Sequence, residues 1–317
     1  MSKTNANASS SSSKKAPRTG GVRFAPSPTG RFHLGNLRTA WISWRWAQIL
    51  GRPWVVRVED IDTPRVLPGA RDQQLQDMAA LGLVPDVLLV QSEFRSRHWA
   101  LFIEGVRSSQ IYACDCSRKE VASALAGIAS APHDGRPPVY TGVCRALSAR
   151  EMRAADSIAW RFRMNDESGR DDFIIARSGH VLDASGVPDE STFVPAYHWA
   201  CAIDDHDGGY DLLVRSADLA PAAPVQRAIQ SWVGRLEGSS CEPAVFHTSL
   251  VVQDDGHRLE KRTRGVTLEE LGAKGIHAAK LTQIFEQSFD STLFSQAVSE
   301  QLLVGEANGE IKLSSLI

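Results

Sequence analysis

The sequence predicts an α/β fold with a parallel sheet whose two halves are separated by an insertion. Two short apolar segments, VRFAP (22–26) and WVVRVED (54–60), flank a stretch of apolar residues at helical spacing. A strand, a helix and a strand in such close succession form a βαβ unit, and such units build parallel sheets. Residues 111–195 collect cysteines, glycines and prolines between two more apolar regions, which marks them as the insertion.

The first half of the chain follows this pattern element by element. After the strand VRFAP, apolar residues from Leu37 to about Ile49 recur at helical spacing, and a glycine and a proline follow directly. The alternating, β-branched WVVRVED is the next strand. A helix ending near Gly82, a strand in DVLLVQSE and a helix over 94–110 complete this half.

The second half begins with the insertion, in which IAWRFRM and DFIIAR are strand candidates. The segment YHWACAIDDHDGGYDLLVRSADL (197–219) predicts a return to buried strand, with a turn at DDHDGG. A helix over Ala222–Leu236 follows. TLEELGAKGI and AKLTQIFEQSF then predict weakly amphipathic helices near the C-terminus.

These elements divide the chain into five regions. They are a disordered Ser-rich tail (1–21), the first half of the sheet domain (22–110), the insertion (111–195), the second half of the sheet domain (196–250), and a basic loop with a helical C-terminal region (251–317). The tail assignment depends on its Ser, Asn, Lys and Gly content, which cannot bury a core.

Composition excludes several classes of protein. The 317 residues suffice for two or more domains, and 43% hydrophobic with 23% charged residues is ordinary for a globular chain. A net charge of −2 gives no global attraction to nucleic acid, so any such contact uses local basic patches. The sequence has no apolar run of the ~18–20 residues that span a bilayer, and no secretory signal. We therefore expect a cytoplasmic protein without membrane contacts.

The stretch RFAPSPTGRFHLGN (23–36) places a turn directly before a helix, and this geometry binds phosphate. Backbone N–H groups and the helix dipole attract an anion at a helix N-terminus. Gly30 and Gly35 allow a ligand to approach the backbone closely, and His33 can donate to a phosphate oxygen. A lone histidine beside a helix is also commonly a cap or a core residue.

Three of the five cysteines, Cys114, Cys116 and Cys144, bracket one Gly/Pro-rich stretch. An odd number of cysteines argues against a disulfide framework and favours a metal site or free thiols. Zinc takes four ligands, and the candidates for the fourth are Tyr140, His133 and Asp115. The cysteines that stand apart are interpreted as small core residues: Cys201 and Cys241.

Four segments, in the same order, resemble the class I glutamyl-type tRNA synthetases. RFAPSPTG followed by HLGN (33–36) resembles the family's first signature, which ends in HIGH. RVEDIDTPR (57–65) resembles RIEDTDxxR, YHWACAIDD with RSADL (215–219) resembles a tyrosine-plus-RGxDL segment, and RLEKR (258–262) resembles KLSKR. The resemblance covers roughly 22–265. It implies a Rossmann-type catalytic domain with a parallel sheet, an insertion that contains a zinc knuckle, and a short helical C-terminal region.

The resemblance also implies a reaction, the attack of the glutamate α-carboxylate on the α-phosphorus of ATP with Mg²⁺. In such a reaction the protein mainly positions the reactants and stabilises charge on the phosphoryl oxygens. The residues implied at the reacting phosphates are His33, Gly35 and Lys261. Those implied to bind ATP are His33, Asn36, Arg258 and Lys261. Those implied to bind L-glutamate are Arg23, Ala25, Ser27, Glu59, Tyr197 and Arg215.

Charge distinguishes the roles within the glutamate set. A guanidinium binds a carboxylate bidentately, so Arg23 and Arg215 match the side-chain carboxylate of glutamate. Glu59 matches its α-ammonium group. A purely structural alternative is an ion pair between Arg23 and Glu59 across adjacent strands.

The cysteine pattern CxC…YxGxC resembles the zinc knuckle of the short, tRNA-modifying branch of the family. This resemblance makes Tyr140 the leading candidate for the fourth ligand. The implied set for one structural Zn²⁺ is Cys114, Cys116, Tyr140 and Cys144.

Length separates the branches of the family. Only 55 residues follow Arg262, too few for the helical domain with which full glutamyl-tRNA synthetases read an anticodon. We therefore expect the truncated branch, which attaches glutamate to queuosine in the anticodon loop of tRNA(Asp). Its partners are L-glutamate, ATP and tRNA(Asp) carrying queuosine. The alternatives are a truncated synthetase that charges tRNA(Glu) and a non-catalytic binding module.

Several departures from the family pattern bear on the site, and Leu34 and Asn36, which differ from HIGH, are mild ones. Glu260 replaces a serine in the basic loop and brings a carboxylate near triphosphate unless it pairs with Arg258 or Arg262. Ser216 replaces a glycine. A weakened second signature predicts slow activation.

Overall fold

The structure, a computed structural model, describes most of the chain. The described residues are 13–116, 140, 142–146, 157–164, 172–179, 182–183, 186–257, 266–289, 303–305 and 310–317. Several predicted site residues lie outside them: His133, Arg258, Glu260, Lys261 and Arg262.

The described residues form twelve strands and eight α-helices. The strands are β1 (Val22–Phe24), β2 (Trp54–Val58), β3 (Val87–Val90), β4 (Ile111–Cys114), β5 (Ser157–Phe162), β6 (Phe173–Gly179), β7 (Val194–Pro195), β8 (Leu212–Ser216), β9 (Ala244–Thr248), β10 (Leu250–Val252), β11 (Leu303–Gly305) and β12 (Glu310–Lys312). The helices are α1 (Leu34–Leu50), α2 (Ala70–Ala80), α3 (Arg95–Arg107), α4 (Tyr197–Gly208), α5 (Ala223–Glu237), α6 (Leu268–Ala273), α7 (Ala278–Gln287) and α8 (Leu313–Leu316).

Six strands form one parallel sheet in the order β11-β9-β8-β1-β2-β3. This confirms the predicted α/β fold with a parallel sheet. From β1 the sheet continues to β2 and β3 on one side, and to β8 and β9 on the other. The boundary between β1 and β8 is therefore the topological switch point, where the carboxyl ends of the strands open a crevice for a ligand.

A separate antiparallel sheet, β4-β5-β6-β7, lies within 111–195. Its strands β5 and β6 are the predicted segments IAWRFRM and DFIIAR. The two sheets therefore differ in kind, and the antiparallel one belongs to the region that composition marked as an insertion.

The main hydrophobic core lies between the parallel sheet and α1. Trp46 of α1 meets Phe246 of β9 edge-on, with ring centroids 5.4 Å apart. Trp41 packs against Phe285 of α7, with ring centroids 6.1 Å apart, so the C-terminal region completes this core. Burial of each phenylalanine contributes about 1.5–3 kcal/mol.

A second core holds the antiparallel sheet against α3, α4 and α5. Phe102 of α3 packs edge-on against Trp160 of β5, with ring centroids 5.0 Å apart. Trp199 of α4 and Trp232 of α5 lie 5.8 Å apart. These helices therefore bury apolar surface against the antiparallel sheet, and α5 also connects β8 to β9 of the parallel one.

The segment 197–208 is a helix, and the predicted strand there is wrong. All residues from Trp199 to Asp207 are buried, and continuous burial leaves no period by which to tell a helix from a strand. The DDHD residues interpreted as a turn are the last part of α4. The chain turns only at Gly209, whose φ is 60°.

The end of the predicted disordered tail, residues 13–21, packs on the fold. Ala16 is buried, and the N–H groups of Thr19 and Gly20 both donate to the carbonyl of Gly208 at the end of α4. Their small and polar composition hid this role, because these contacts are backbone hydrogen bonds and ion pairs of Lys14 and Lys15 rather than an apolar face.

The C-terminal region contains strands as well as the predicted helices α6 and α7. Strand β11 extends the parallel sheet, and β12 pairs with β10. Among the described residues, no helix has both the length and the apolar composition that a membrane span requires.

Candidate active site

A cavity of about 290 Å³ lies at the switch point between β1 and β8. Ala25 and Ser27 enter it from the segment after β1, and Arg215 enters from the end of β8. Asn36 and Thr39 enter from the first turns of α1. The cavity thus occupies the place where open parallel sheets bind ligands.

A second cavity, of about 480 Å³, adjoins it and shares Ser27. Glu59 and Gln91 reach it from the segments after β2 and β3, and Tyr197 from the start of α4. Residues of β6 and β7 close the far side, so this cavity lies between the two sheets.

A capping box at His33 starts α1 beside the smaller cavity. The Nδ1 of His33 accepts the N–H of Gly35 at 3.1 Å, and the side chain of Asn36 accepts the N–H of His33 at 3.3 Å. Because Nδ1 accepts, the neutral ring carries its proton on Nε2. The N–H of Gly35, predicted to meet a phosphate, is engaged in the cap.

Glycine at position 35 is explained by the close approach of this imidazole. A Cβ there would lie 3.0 Å from Cε1 of His33 and 3.2 Å from its Nδ1. Any side chain would therefore push the ring aside.

The basic loop, 258–265, is flanked by residues that contact the start of α1. After the loop, the carbonyl of Val266 accepts the N–H of Leu34 at 2.9 Å. Before it, Val251 of β10 lies 3.6 Å from where a Cβ on Gly35 would be. Both flanks of the loop are thus close to His33.

Buried charges beneath the cavities form a cluster that sequence reasoning missed. Arg23 pairs bidentately with Asp205, with Nε–Oδ1 and Nη2–Oδ2 distances of 3.1 and 2.7 Å. Arg57 donates to Asp205 at 2.7 Å and to Glu59 at 2.9 Å. The alternative of an Arg23–Glu59 pair is therefore wrong, since Arg23 pairs with Asp205 and Glu59 with Arg57.

The neighbouring aspartate extends the cluster. Asp204 accepts Nε2 of Gln91 at 2.7 Å, and its other oxygen lies 2.7 Å from Nε2 of His98. The sequence did contain a signal, because an arginine inside a buried strand and paired aspartates in a buried segment each require an opposite charge.

The two arginines hold the shared carboxylate charged. Burial alone would raise the pKa of Asp205, but the attraction of Arg23 and Arg57 outweighs it and lowers that pKa below its ordinary value. Cys201 lies in the same cluster, fully buried, with its Sγ 3.4 Å from Nη2 of Arg57. It is therefore buried, as expected, but among charged groups.

Glu59 presents a carboxylate to the larger cavity. Burial raises its pKa, although Arg57 and Arg23 attract the charged form. Burial also raises the pKa of Tyr197 well above its ordinary value, so the phenol is a neutral donor. Ser27, Glu59 and Tyr197 thus share one cavity.

Arg215 lies in the smaller cavity and is held by neutral partners. Its Nε donates to Nε2 of His247 at 3.2 Å, and its Nη1 donates to Oε1 of Gln226. Burial and the charge of Arg215 together lower the pKa of His247 to about 4, so this imidazole stays a neutral acceptor. Among the described residues, no carboxylate forms an ion pair with Arg215. No motif or pattern in the sequence indicated a role for His247 or Gln226.

The predicted glutamate-binding residues are therefore divided between the two adjoining cavities and the layer beneath them. Those on the larger cavity are Ser27, Glu59 and Tyr197; those on the smaller are Ala25, Ser27 and Arg215. Arg23 lies beneath them, 2% exposed.

Three cysteines form a compact sulfur cluster at the end of β4. The Sγ atoms of Cys114, Cys116 and Cys144 lie within 4.8 Å of one another, close enough for one metal ion. Hydrogen bonding with Cys144, more than the nearby Arg161, lowers the pKa of Cys114 to about 5 and favours its thiolate. The donor set therefore fits a thiolate-binding metal.

Two groups compete for the fourth position. The hydroxyl of Tyr140 accepts the N–H of Cys144 at 2.9 Å, and the guanidinium of Arg161 lies 3.5 Å from the centroid of the tyrosine ring. Asp115 has an oxygen 3.7 Å from the Sγ of Cys144. His133 lies outside the described residues.

The comparisons with known proteins identify the family. Residues 21–287 match the family described as tRNA synthetases class I (E and Q), catalytic domain. A glutamyl-Q tRNA(Asp) synthetase of Nocardia farcinica is 39% identical over 264 residues, which span 81% of this chain and 80% of that protein. The chain belongs to the glutamyl-Q tRNA(Asp) synthetase family of the class I synthetases.

Other relatives agree with this family. A glutamyl-Q tRNA(Asp) synthetase of Synechococcus is 34% identical over 263 residues, 81% of this synthetase and 78% of that protein. A crystal structure of a glutamate tRNA ligase from Elizabethkingia meningosepticum, in complex with its amino acid, matches 81% of this synthetase with a TM-score of 0.52 and 21% identity. This synthetase spans 53% of the length of that structure, which shows a shared fold.

Proposed function

We propose that the protein activates L-glutamate with ATP and transfers it to queuosine in the anticodon loop of tRNA(Asp). The observation that carries this proposal is a 39% identical relative of that name, matched over about four-fifths of both chains. The arrangement of the two cavities supports it, because they adjoin at Ser27, with Arg215 on the smaller cavity and Glu59 on the larger one.

In the first step, a glutamate α-carboxylate oxygen forms a bond to the α-phosphorus of ATP. The bond from that phosphorus to the bridging oxygen breaks, and pyrophosphate leaves. The ATP lies in the switch-point cavity, where Asn36 lines the wall and His33 caps the adjoining helix. Lys261, Arg258 and the N-terminus of α1 stabilise the charge on the phosphates.

The amino acid lies where the two cavities meet. Glu59 accepts its α-ammonium, and Arg215 binds its side-chain carboxylate. Tyr197 donates from its neutral phenol, and Ser27 and Ala25 bound the space. Arg23 lies beneath the amino acid and contributes its positive charge rather than a bidentate contact, because two of its nitrogens are already bound to Asp205.

In the second step, a hydroxyl of the cyclopentenediol of queuosine attacks the carbonyl carbon of the glutamyl adenylate. The carbon–oxygen bond to AMP breaks, AMP leaves, and the hydroxyl proton passes to a phosphate oxygen of the leaving AMP. The product is a glutamyl ester on the modified base. We further propose that Cys114, Cys116, Cys144 and Tyr140 hold one structural Zn²⁺, which ties the end of β4 to residues 140–144.

Transfer of labelled glutamate tests the function. We expect transfer to tRNA(Asp) that carries queuosine, none to tRNA(Asp) that lacks it, and none to tRNA(Glu). Glutamate-dependent pyrophosphate exchange measures the first step separately. Charging of tRNA(Glu) would indicate a truncated glutamyl-tRNA synthetase instead, and absence of exchange would indicate a non-catalytic module.

A further inference from the structure

The larger cavity has two chemically different sides. One side is polar and is formed by residues that follow the parallel strands, with Ser27, Glu59 and Gln91 among them. The other is apolar and comes from the antiparallel sheet. We name it the β6–β7 wall, and its members are Ile174, Ala176, Val194 and Pro195.

The pairing of the two strands builds this wall. Ala176 pairs with Pro195 and Arg177 with Val194, so Arg177 and Val194 sit side by side on neighbouring strands. Val194 is 51% exposed, an unusual position for a valine beside a cavity. A ligand that covers this side chain would remove apolar surface from water.

Arg177 adds an exposed cation next to this apolar surface. It also lines the cavity. Among the described residues, no acidic side chain pairs with Arg177. The other arginine of the cavity, Arg65, pairs with Asp62. Arg177 is therefore the cavity arginine whose charge no described carboxylate neutralises, and that charge is available to a ligand.

Glutamate does not match this wall, and ATP is proposed to lie in the other cavity. Glutamate is small and charged at both ends, and its partners lie on the polar side. A volume of about 480 Å³ is that of a site for a ligand larger than one amino acid. An aliphatic surface beside an exposed guanidinium matches an unstacked RNA base, whose flat face packs on apolar side chains and on arginine planes.

We propose that the β6–β7 wall is the subsite for the base of the acceptor nucleotide, with Val194 against its ring and Arg177 stacked on it. This inference rests on the proposed function and specifies that the site binds the base of the acceptor nucleotide. The base on this wall would leave its hydroxyl-bearing substituent directed across the cavity toward the amino acid at Ser27.

The test compares Arg177→Ala with a matched variant, Arg235→Ala, in the full chain. Arg235 is an exposed arginine at the end of α5 that forms no ion pair with the described residues. Two readouts are measured for each variant. One is the KM for queuosine-containing tRNA(Asp) in glutamate transfer, and the other is the inhibition of that transfer by the free nucleoside queuosine.

We expect Arg177→Ala to raise the KM for the tRNA and the inhibition constant of the free nucleoside about tenfold each, the loss of one stacking contact. Val194→Ser should raise both about fivefold, since it removes apolar contact only. Arg235→Ala should leave both within about twofold of the wild type, and the KM for ATP and glutamate in pyrophosphate exchange should stay in the same range for Arg177→Ala.

Three results would overturn the subsite. In the first, Arg177→Ala and Val194→Ser behave like Arg235→Ala. In the second, the KM for the tRNA rises while free queuosine inhibits as before, so that the contact is with another part of the RNA. In the third, exchange falls in parallel with transfer, which assigns Arg177 to activation or to the fold. If Arg177→Ala does not fold, Val194→Ser carries the same two readouts.

Failure of the proposed function is seen in the wild type alone. A wild-type protein that transfers no glutamate to queuosine-containing tRNA(Asp) refutes the function and the subsite with it. A wild-type protein that does transfer glutamate, with variants that match the control, refutes the subsite only.

Discussion

Arg215 differs from the other buried arginines of the site in the charge of its partners. Arg23 and Arg57 donate to Asp205, whereas Arg215 donates to the neutral acceptors His247 and Gln226. Neutral acceptors fix the direction of a guanidinium without cancelling its charge. Arg215 therefore keeps its charge for the side-chain carboxylate that we propose it binds.

Because His247 is neutral in the folded protein, the free energy of unfolding should depend on pH. Its pKa is lowered from 6.5 to about 4, so between these values the unfolded chain binds a proton that the folded chain does not. The free energy of unfolding should therefore fall as the pH drops from 6.5 toward 4. His247→Gln keeps an acceptor but does not titrate, so its stability should decline less over this range. Urea unfolding at both ends of the range measures this, and equal declines would contradict the assignment.

Gly35 gives a second prediction at this scale. Gly35→Ala should displace the His33 ring, because the new Cβ would lie 3.0 Å from it. Exchange should fall by about tenfold to a hundredfold, the usual result of misplacing a catalytic group, while the protein stays folded. Gly272→Ala is the control, since its Cβ would meet nothing closer than 4.0 Å. Exchange kinetics at wild-type level would remove His33 from the reaction.

At the scale of elements, the prediction succeeded where glycine and proline mark the boundaries of an element, and it failed for a helix that is buried on all sides. The strands β1 and β2 are buried throughout, but they and the helix α1 appear where the sequence placed them, because Pro26 ends the first strand and Gly51 and Pro53 separate the helix from the second. Helix α4 does not, since both its faces are buried and its aspartates face arginines from distant strands. Partners 182 residues apart cannot be seen in a local pattern.

The same limit applies to the candidate site. His33, Glu59 and Arg215 lie at or beside the two cavities. Short motifs in the sequence were enough to predict that these residues belong to the site. Of their supporting partners, Asp205 lies in the YHWACAIDD segment, which does not indicate what it pairs with, and His247 is not in any motif. Their roles come from tertiary contacts that only the fold brings together.

The sulfur cluster gives a prediction for strand β4, whose end it joins to residues 140–144. Cys114→Ser should lower bound zinc well below the one ion per chain that we propose for the wild type, since three thiolates are the core of the proposed donor set. It should also lower the melting temperature, because the metal links β4 to residues 140–144. Cys241→Ser, a cysteine away from the cluster, should change neither. Zinc content by elemental analysis decides, and a wild-type protein without metal would discard the site.

At the scale of the whole molecule, the buried charge cluster joins parts of the chain that are far apart in sequence. Arg23 of β1, Arg57 of β2 and Asp205 of α4 meet in one place. Two buried cations that share one carboxylate make this carboxylate necessary, because its loss leaves both charges desolvated.

Asp205→Asn should therefore lower the free energy of unfolding by about 3–5 kcal/mol, the usual effect of breaking a buried pair. Asp72→Asn is the matched control. Asp72 pairs with Arg71 at the surface, where a pair contributes about 0–1 kcal/mol. Chemical denaturation measures both, and equal losses would mean that the cluster does not stabilise the fold.

The anchoring of the basic loop has a consequence for catalysis. Val266 and Val251, on either side of 258–265, both lie at the start of α1. These two flanking residues are thus brought together when the protein folds, and the nucleotide need not supply the entropy of doing so. Binding energy at the triphosphate is then available for the transition state rather than for gathering remote parts of the chain.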